Sequence, residues 1–104
     1  MKEITVSELK KLKDENADFH LFDIREMYEY EVVNIGGELF PMGDVMDQLD
    51  RIPKNKMVIM HCKSGNRSNT VVSVLSDMGF SNIYSLKGGI MAWIEEINPS
   101  LPVY

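Results

Sequence analysis

A chain of 104 residues can bury one hydrophobic core but not two, so a single domain over residues 1–104 is the expectation. Hydrophobic residues at 44% and charged ones at 26% exclude a disordered chain, and a formal charge of -5 argues against nucleic acid as a partner, because phosphate contacts call for a basic face. The one cysteine excludes an internal disulfide and suits a reduced, cytoplasmic setting, while neither a signal peptide's apolar stretch nor a run near the ~18 residues of a membrane span is present.

Lys2-Glu3-Ile4 reads as a short edge strand. Thr5-Val6-Ser7-Glu8 then has the form of a capping box, with a hydroxyl at the N-cap and a carboxylate three residues on, and predicts a helix from Val6 to Lys13 that buries Val6, Leu9 and Leu12. Phe19-His20-Leu21-Phe22 is the next strand, apolar enough to be covered on both faces as a parallel sheet requires. Charge returns abruptly at Asp23-Ile24-Arg25-Glu26, the carboxyl end of that strand and the edge where ligands gather in open α/β sheets. Asp23 is placed to cap the following helix, and Arg25 to pair with a carboxylate or with a neighbouring loop. Met27, Tyr28 and Tyr30 read as packing and as a wall near the site.

Gly36-Gly37 marks a bend before a short strand, Glu38-Leu39-Phe40, which Pro41 halts. Asp44 is a plausible N-cap for an amphipathic helix from Val45 to Arg51, with Val45, Met46 and Leu49 on its apolar side. Met57-Val58-Ile59-Met60 is a buried strand, and Val71, Val74, Leu75 and Met78 fall at i, i+3, i+4 and i+7 of a helix. A fifth strand spans Ser81 to Leu86. Gly88-Gly89 opens a last helix with Ile90, Trp93, Ile94 and Ile97 as its apolar stripe, ended by Asn98-Pro99.

Between the central strand and its helix lies His61-Cys62-Lys63-Ser64-Gly65-Asn66-Arg67-Ser68. Backbone N–H groups of such a loop and of the first helical turn converge on one spot, and the helix dipole adds positive potential there. Gly65 can take a positive φ, Ser64 and Ser68 supply hydroxyls, and Lys63 and Arg67 supply charge. Together these predict that Cys62 ionises more readily than a free thiol and acts as a nucleophile near neutral pH. His61, the last residue of its strand, is expected to be structural rather than a base. His20, His61 and Cys62 lack a metal-ligand spacing, so neither a metal nor another cofactor is called for.

Strands alternating with helices predict an α/β fold: a mostly parallel central sheet of about five strands with helices on both faces. Strand carboxyl ends at Asp23, Phe40, Cys62 and Leu86 would share one edge, bringing Asp23, Arg25 and the Gly88-Gly89 turn near Cys62.

The loop Cys62-x-x-Gly65-x-Arg67-Ser68 resembles the active-site loop of single-domain rhodanese-like sulfurtransferases. Asp23-x-Arg25 with Glu29-Tyr30 resembles the upstream segment of that family, and Gly88-Gly89 followed by Trp93 resembles its C-terminal signature. The resemblance implies a rhodanese-like fold over the whole chain. It also implies that Cys62 accepts a sulfane sulfur from a donor such as thiosulfate, becomes a persulfide, and passes the sulfur to cyanide or a thiol. Lys63, Ser64, Gly65, Asn66, Arg67 and Ser68 would bind substrate, with Asp23 and Arg25 in support. Partners so implied are a small anionic donor, a thiol or cyanide acceptor, and a sulfur-relay protein, with neither nucleic acid nor membrane among them. Val33-Asn34-Ile35-Gly36-Gly37-Glu38 departs from the family pattern, and Glu38 stands where a small residue is common. Two other readings remain. One is a persulfide carrier or a non-catalytic interaction module on the same fold. The other is a cysteine phosphatase or arsenate reductase, disfavoured because those loops hold one more residue between cysteine and arginine than Cys62 to Arg67 does.

Overall fold

The computed structural model describes residues 1–104. Five strands form one sheet: β1 (Lys2–Ile4), β2 (Phe19–Asp23), β3 (Glu38–Leu39), β4 (Met57–His61) and β5 (Ile83–Leu86). Their order is β1-β5-β4-β2-β3, and every neighbouring pair is parallel. The helices are α1 (Val6–Asp14), α2 (Met27–Val32), α3 (Met42–Val45), α4 (Asn66–Asp77) and α5 (Gly89–Glu96), with a 3₁₀ turn at Leu49–Arg51. This is the α/β architecture expected from the alternation of apolar runs.

Side chains alternate across the strands and so sort the core into two layers. Val58 and Met60 of β4 join Phe22, Val71, Val72 and Leu75 under α4, whereas Ile59 joins Leu21, Val6, Leu9 and Trp93 under α1 and α5. The capping box at α1 forms as read: Glu8 N–H donates to Thr5 Oγ1 at 3.1 Å, and Thr5 N–H donates to Glu8 Oε1 at 2.9 Å.

Three local expectations are corrected. The helix expected over Val45–Arg51 is instead the single turn α3 and a separate 3₁₀ turn, leaving Met46 exposed. Arg51 explains the break: its guanidinium lies 4.0 Å from the Phe40 ring centroid and donates to Glu38 Oε2 at 2.8 Å, contacts that outweigh the weak propagation of so short a helix. On α4 the buried face is Ser68, Val71, Val72 and Leu75, so Val74 and Met78 face solvent. Of the α2 side chains read as a wall near the site, Met27 and Tyr28 are exposed, and Tyr30 is fixed, donating from its hydroxyl to Gly37 O at 2.8 Å.

Candidate active site

Cys62 follows β4 directly, and the alternation that carries Val58 and Met60 toward α4 also carries its side chain there. Cys62 is 1% exposed, and its sulfur lies beneath the first turn of α4. Gly65 makes this possible by adopting φ +106° as the N-cap of α4, a conformation open to glycine without a steric penalty. Its N–H donates to Cys62 Sγ at 3.2 Å, and Ser68 N–H donates to the same atom at 3.4 Å. Ser68 Oγ stands 3.6 Å from the sulfur and within 2.8 Å of Ser85 Oγ on β5.

The floor of the loop is backbone against backbone. A Cβ on Gly89 would come 2.6 Å from Cys62 O and 2.5 Å from Lys63 O, which is why α5 can begin here only with glycine. The close approach lets Ile90 N–H donate to Cys62 O at 2.9 Å and Met91 N–H to Lys63 O at 3.0 Å. The Gly88-Gly89 turn is therefore brought to the cysteine loop, as the shared strand edge predicts.

Asp23 and Arg25 reach the same edge but a different side of it. They share the face of β2 on which Leu21 lies, opposite the layer that holds Cys62. Asp23 does not cap α2, whose N-cap is Glu26. Both residues are fully buried and paired: Arg25 Nε donates to Asp23 Oδ1 at 2.9 Å and Nη2 to Oδ2 at 2.7 Å, and Nη2 also donates to Val33 O at 2.7 Å. So dense a set of charge-assisted bonds offsets the desolvation of both ions and ties β2 to the chain after α2. His61 completes this cluster. It is fully buried, its Nε2 is 3.5 Å from Asp23 Oδ2, and its Nδ1 is 3.3 Å from Cys62 O. Burial pushes its pKa down despite the nearby Asp23, which keeps the imidazole neutral and turned away from the sulfur.

The two loop cations differ. Arg67 is held by Glu29 of α2 through two bonds, Nη1 to Oε1 at 2.7 Å and Nη2 to Oε2 at 2.9 Å. That fork drives the Glu29 carboxyl down to about 2, against its burial and aided by the Glu26 N–H and the Tyr104 hydroxyl, and it raises Arg67 above its ordinary value. Lys63 has no carboxylate partner; its Nζ lies 4.4 Å from the centroid of the Tyr104 ring. Ser64 and Asn66 are exposed at the rim.

Several residues around the loop escape a reading by local pattern. Tyr104 accepts from Arg25 Nη1 at 2.8 Å and donates to Glu29 Oε2 at 2.9 Å, linking the buried pair to the Arg67 pair, yet nothing near it in sequence marks this. Ser85 had a faint signal, a hydroxyl within the apolar strand Ile83–Leu86. The departure at residues 33–38 also resolves locally. Asn34 Oδ1 accepts from Gly36 N–H at 3.0 Å to close the bend, and Glu38 pairs with His20 and Arg51. The extra carboxylate is thus occupied by two cationic or hydrogen-bonding partners on β2 and the 3₁₀ turn.

A family model described as the rhodanese-like domain matches residues 5–96 of this chain. The chain belongs to the rhodanese-like family. A putative sulfurtransferase of Bacillus subtilis, YtwF, is 32% identical over 100 residues, covering 95% of this rhodanese-like chain and 96% of its own length. The probable adenylyltransferase/sulfurtransferase MoeZ of Mycobacterium tuberculosis is 31% identical over 104 residues, and the match spans only 26% of that longer protein. Among solved structures, the rhodanese-like domain protein of Staphylococcus aureus superposes with a TM-score of 0.83 at 30% identity, covering 100% of this chain and 99% of that one. The rhodanese-like fold is shared with that structure, and both of these relatives carry sulfurtransferase in their names.

Proposed function

We propose that this protein transfers a sulfane sulfur through a persulfide on Cys62. The observation that carries the reading is the pair of N–H donors, from Gly65 and Ser68, directed at Cys62 Sγ from the first turn of α4. Such donors stabilise a sulfur anion before it forms and need no reorganisation when it does. The Cys62 thiolate attacks the outer sulfur of a donor such as thiosulfate. A new S–S bond forms, the S–S bond of the donor breaks, and sulfite leaves with the bonding electron pair. A thiolate or cyanide acceptor then attacks the terminal sulfur and releases the Cys62 thiolate, so atoms and charge balance over the cycle. No general base is needed, which agrees with a neutral His61 on the far side of the sheet. Lys63, free of any carboxylate, is the better anchor for an anionic donor; Arg67, shared with Glu29, shapes the loop and contributes a screened positive charge. Ser64 and Asn66 would meet the donor at the rim, and Asp23 and Arg25 support the edge from beneath. A reducing compartment such as the cytoplasm keeps the single thiol available.

A second reading, a persulfide carrier in a sulfur relay, is favoured by one finding: a relative carries its matching segment as about a quarter of an adenylyltransferase/sulfurtransferase. Turnover separates the two. Incubation with thiosulfate should add one sulfur atom to the intact mass, and cyanide should then release thiocyanate repeatedly from an enzyme but only once per loading from a carrier that depends on its partner. Retention of activity by Cys62→Ser would sink both readings.

A further inference from the structure

The sulfur of Cys62 is the end of a buried hydroxyl chain that crosses from α4 to β5. Ser68 Oγ lies 3.6 Å from Sγ and 2.8 Å from Ser85 Oγ, and Ser85 Oγ lies 2.7 Å from Asn69 Oδ1. Cys62, Ser68 and Ser85 are 1%, 0% and 0% exposed, so water does not complete the chain along its length. Each hydroxyl has one proton to place. The distances fit one consistent placement for the thiol form: Cys62 S–H donates to Ser68 Oγ, Ser68 O–H to Ser85 Oγ at 2.8 Å, and Ser85 O–H to Asn69 Oδ1 at 2.7 Å. Every side-chain proton of the chain then points away from the sulfur, which receives only the two backbone N–H groups.

Loss of the thiol proton reverses the demand, because the anion only accepts. Ser68 O–H can turn from Ser85 Oγ to Sγ and add a third donor to the two backbone N–H groups. Its oxygen then faces Ser85, whose proton can swing from Asn69 to Ser68. The chain must now end on a donor, and Asn69 has one: rotation of its amide presents Nδ2–H to Ser85 Oγ where Oδ1 stood. A carboxamide can end such a chain in either direction, since it offers both a donor and an acceptor from one planar group. We propose that Ser85 and Asn69 are positioning residues for Cys62, forming with Ser68 a reversible hydroxyl chain that turns a donor toward the sulfur when it becomes anionic.

The charged and titratable groups around the loop are Lys63 and Arg67 of the loop itself, Glu29 of α2, the Tyr104 hydroxyl, and on the opposite face of the sheet Asp23, Arg25 and the neutral His61. Ser85 on β5 and Asn69, the fourth residue of α4, contribute no charge, so removing either hydroxyl or amide changes hydrogen bonding alone. The proposal rests on Cys62 being the reacting group, and its test reads ionisation of the thiol rather than sulfur transfer, so the two can fail separately.

Thiolate formation is followed by its ultraviolet absorbance against pH, with Cys62→Ser as the blank for the single cysteine. Ser85→Ala and Asn69→Ala should each lower the thiolate fraction at a pH below the midpoint by about three- to tenfold, the range for loss of one hydrogen bond to an anion's donor chain. Ser85→Thr, which restores the hydroxyl in a strand that tolerates a β-branched residue, should return the titration to that of the unaltered protein. The half-buried Asn69 site keeps the test open if the buried Ser85→Ala protein folds poorly. Titrations of a folded Ser85→Ala or Asn69→Ala protein that superpose on the unaltered one would overturn the proposal, as would a Ser85→Thr curve matching that of Ser85→Ala.

Discussion

Arg67 gives both terminal nitrogens to Glu29, at 2.7 and 2.9 Å, and thereby fastens α4 just past the cysteine loop to α2. Glu29 is 4% exposed and also accepts from Glu26 N–H at 3.1 Å and from the Tyr104 hydroxyl at 2.9 Å. One carboxylate thus joins an arginine of the loop, the start of α2 and the C-terminal segment. The arrangement gives the loop its shape through a charge that is already neutralised, which leaves Lys63 as its unpaired cation.

Acid should weaken the fold through this carboxylate. Glu29 has a folded pKa of about 2 against an ordinary 4.5, so the unfolded chain takes up a proton at a higher pH than the native one does. The contribution to stability is full above about pH 4.5 and is lost as pH falls toward about 2. With Arg67 about one-third exposed and so partly screened, the loss should be about 2 kcal/mol. Urea unfolding at a series of pH values checks this. In Glu29→Gln, which cannot titrate, the stability step assigned to Glu29 should be missing between those limits, and persistence of the full step would assign it to other carboxylates.

Gly89→Ala should cost more than Gly79→Ala, although both residues have positive φ. A Cβ at Gly79 meets nothing within 4 Å, so alanine there bears only the left-handed backbone penalty of about 1 kcal/mol. At Gly89 the same penalty is joined by overlap with Cys62 O and Lys63 O, main-chain atoms that cannot rotate aside. Relief requires α5 to withdraw and the bonds from Ile90 and Met91 to break. Denaturant titration should therefore show a loss of about 2 to 4 kcal/mol for Gly89→Ala, with persulfide formation impaired as well. Equal losses for the two variants would mean that the loop yields easily.

The contrast between α4 and the Cys62 loop shows what a sequence of this kind makes legible. Strand, glycine-bearing loop and helix are written in contiguous residues, so the sheet, the loop and the glycine contact could be anticipated. Apolar periodicity selected Val74 and Met78, however, because it has no means of seeing that Ser68 occupies the buried face; Ser68 is there for its hydroxyl and N–H near Cys62. Alternation also decides what proximity along a strand edge does not. Asp23 pairs in register with His61, next to Cys62, yet Asp23 and Arg25 lie on the other face, where their charges satisfy each other. Tyr104 lies 79 residues from Arg25 along the chain, and its contacts depend on tertiary placement alone.

Tyr104 offers a way to separate two roles of one side chain. Its hydroxyl bridges Arg25 and Glu29, whereas its ring faces the Lys63 ammonium at 4.4 Å. Tyr104→Phe removes the bridge and keeps the ring; it should cost about 1 kcal/mol in stability and leave the response to an anionic donor nearly unchanged. Tyr104→Ala removes both. A lysine no longer held against an aromatic face loses an interaction of about 0.5–1 kcal/mol at an exposed site and regains rotamer freedom, so it should bind an anion less well. If Lys63 anchors thiosulfate, KM should rise by about two- to fivefold in Tyr104→Ala with kcat little altered, the signature of lost ground-state binding. Lys63→Met should raise KM further, and Tyr104→Ala on that background should add nothing, because the ring acts on the donor only through the ammonium. An additive effect in the double variant would show that Tyr104 meets the donor directly.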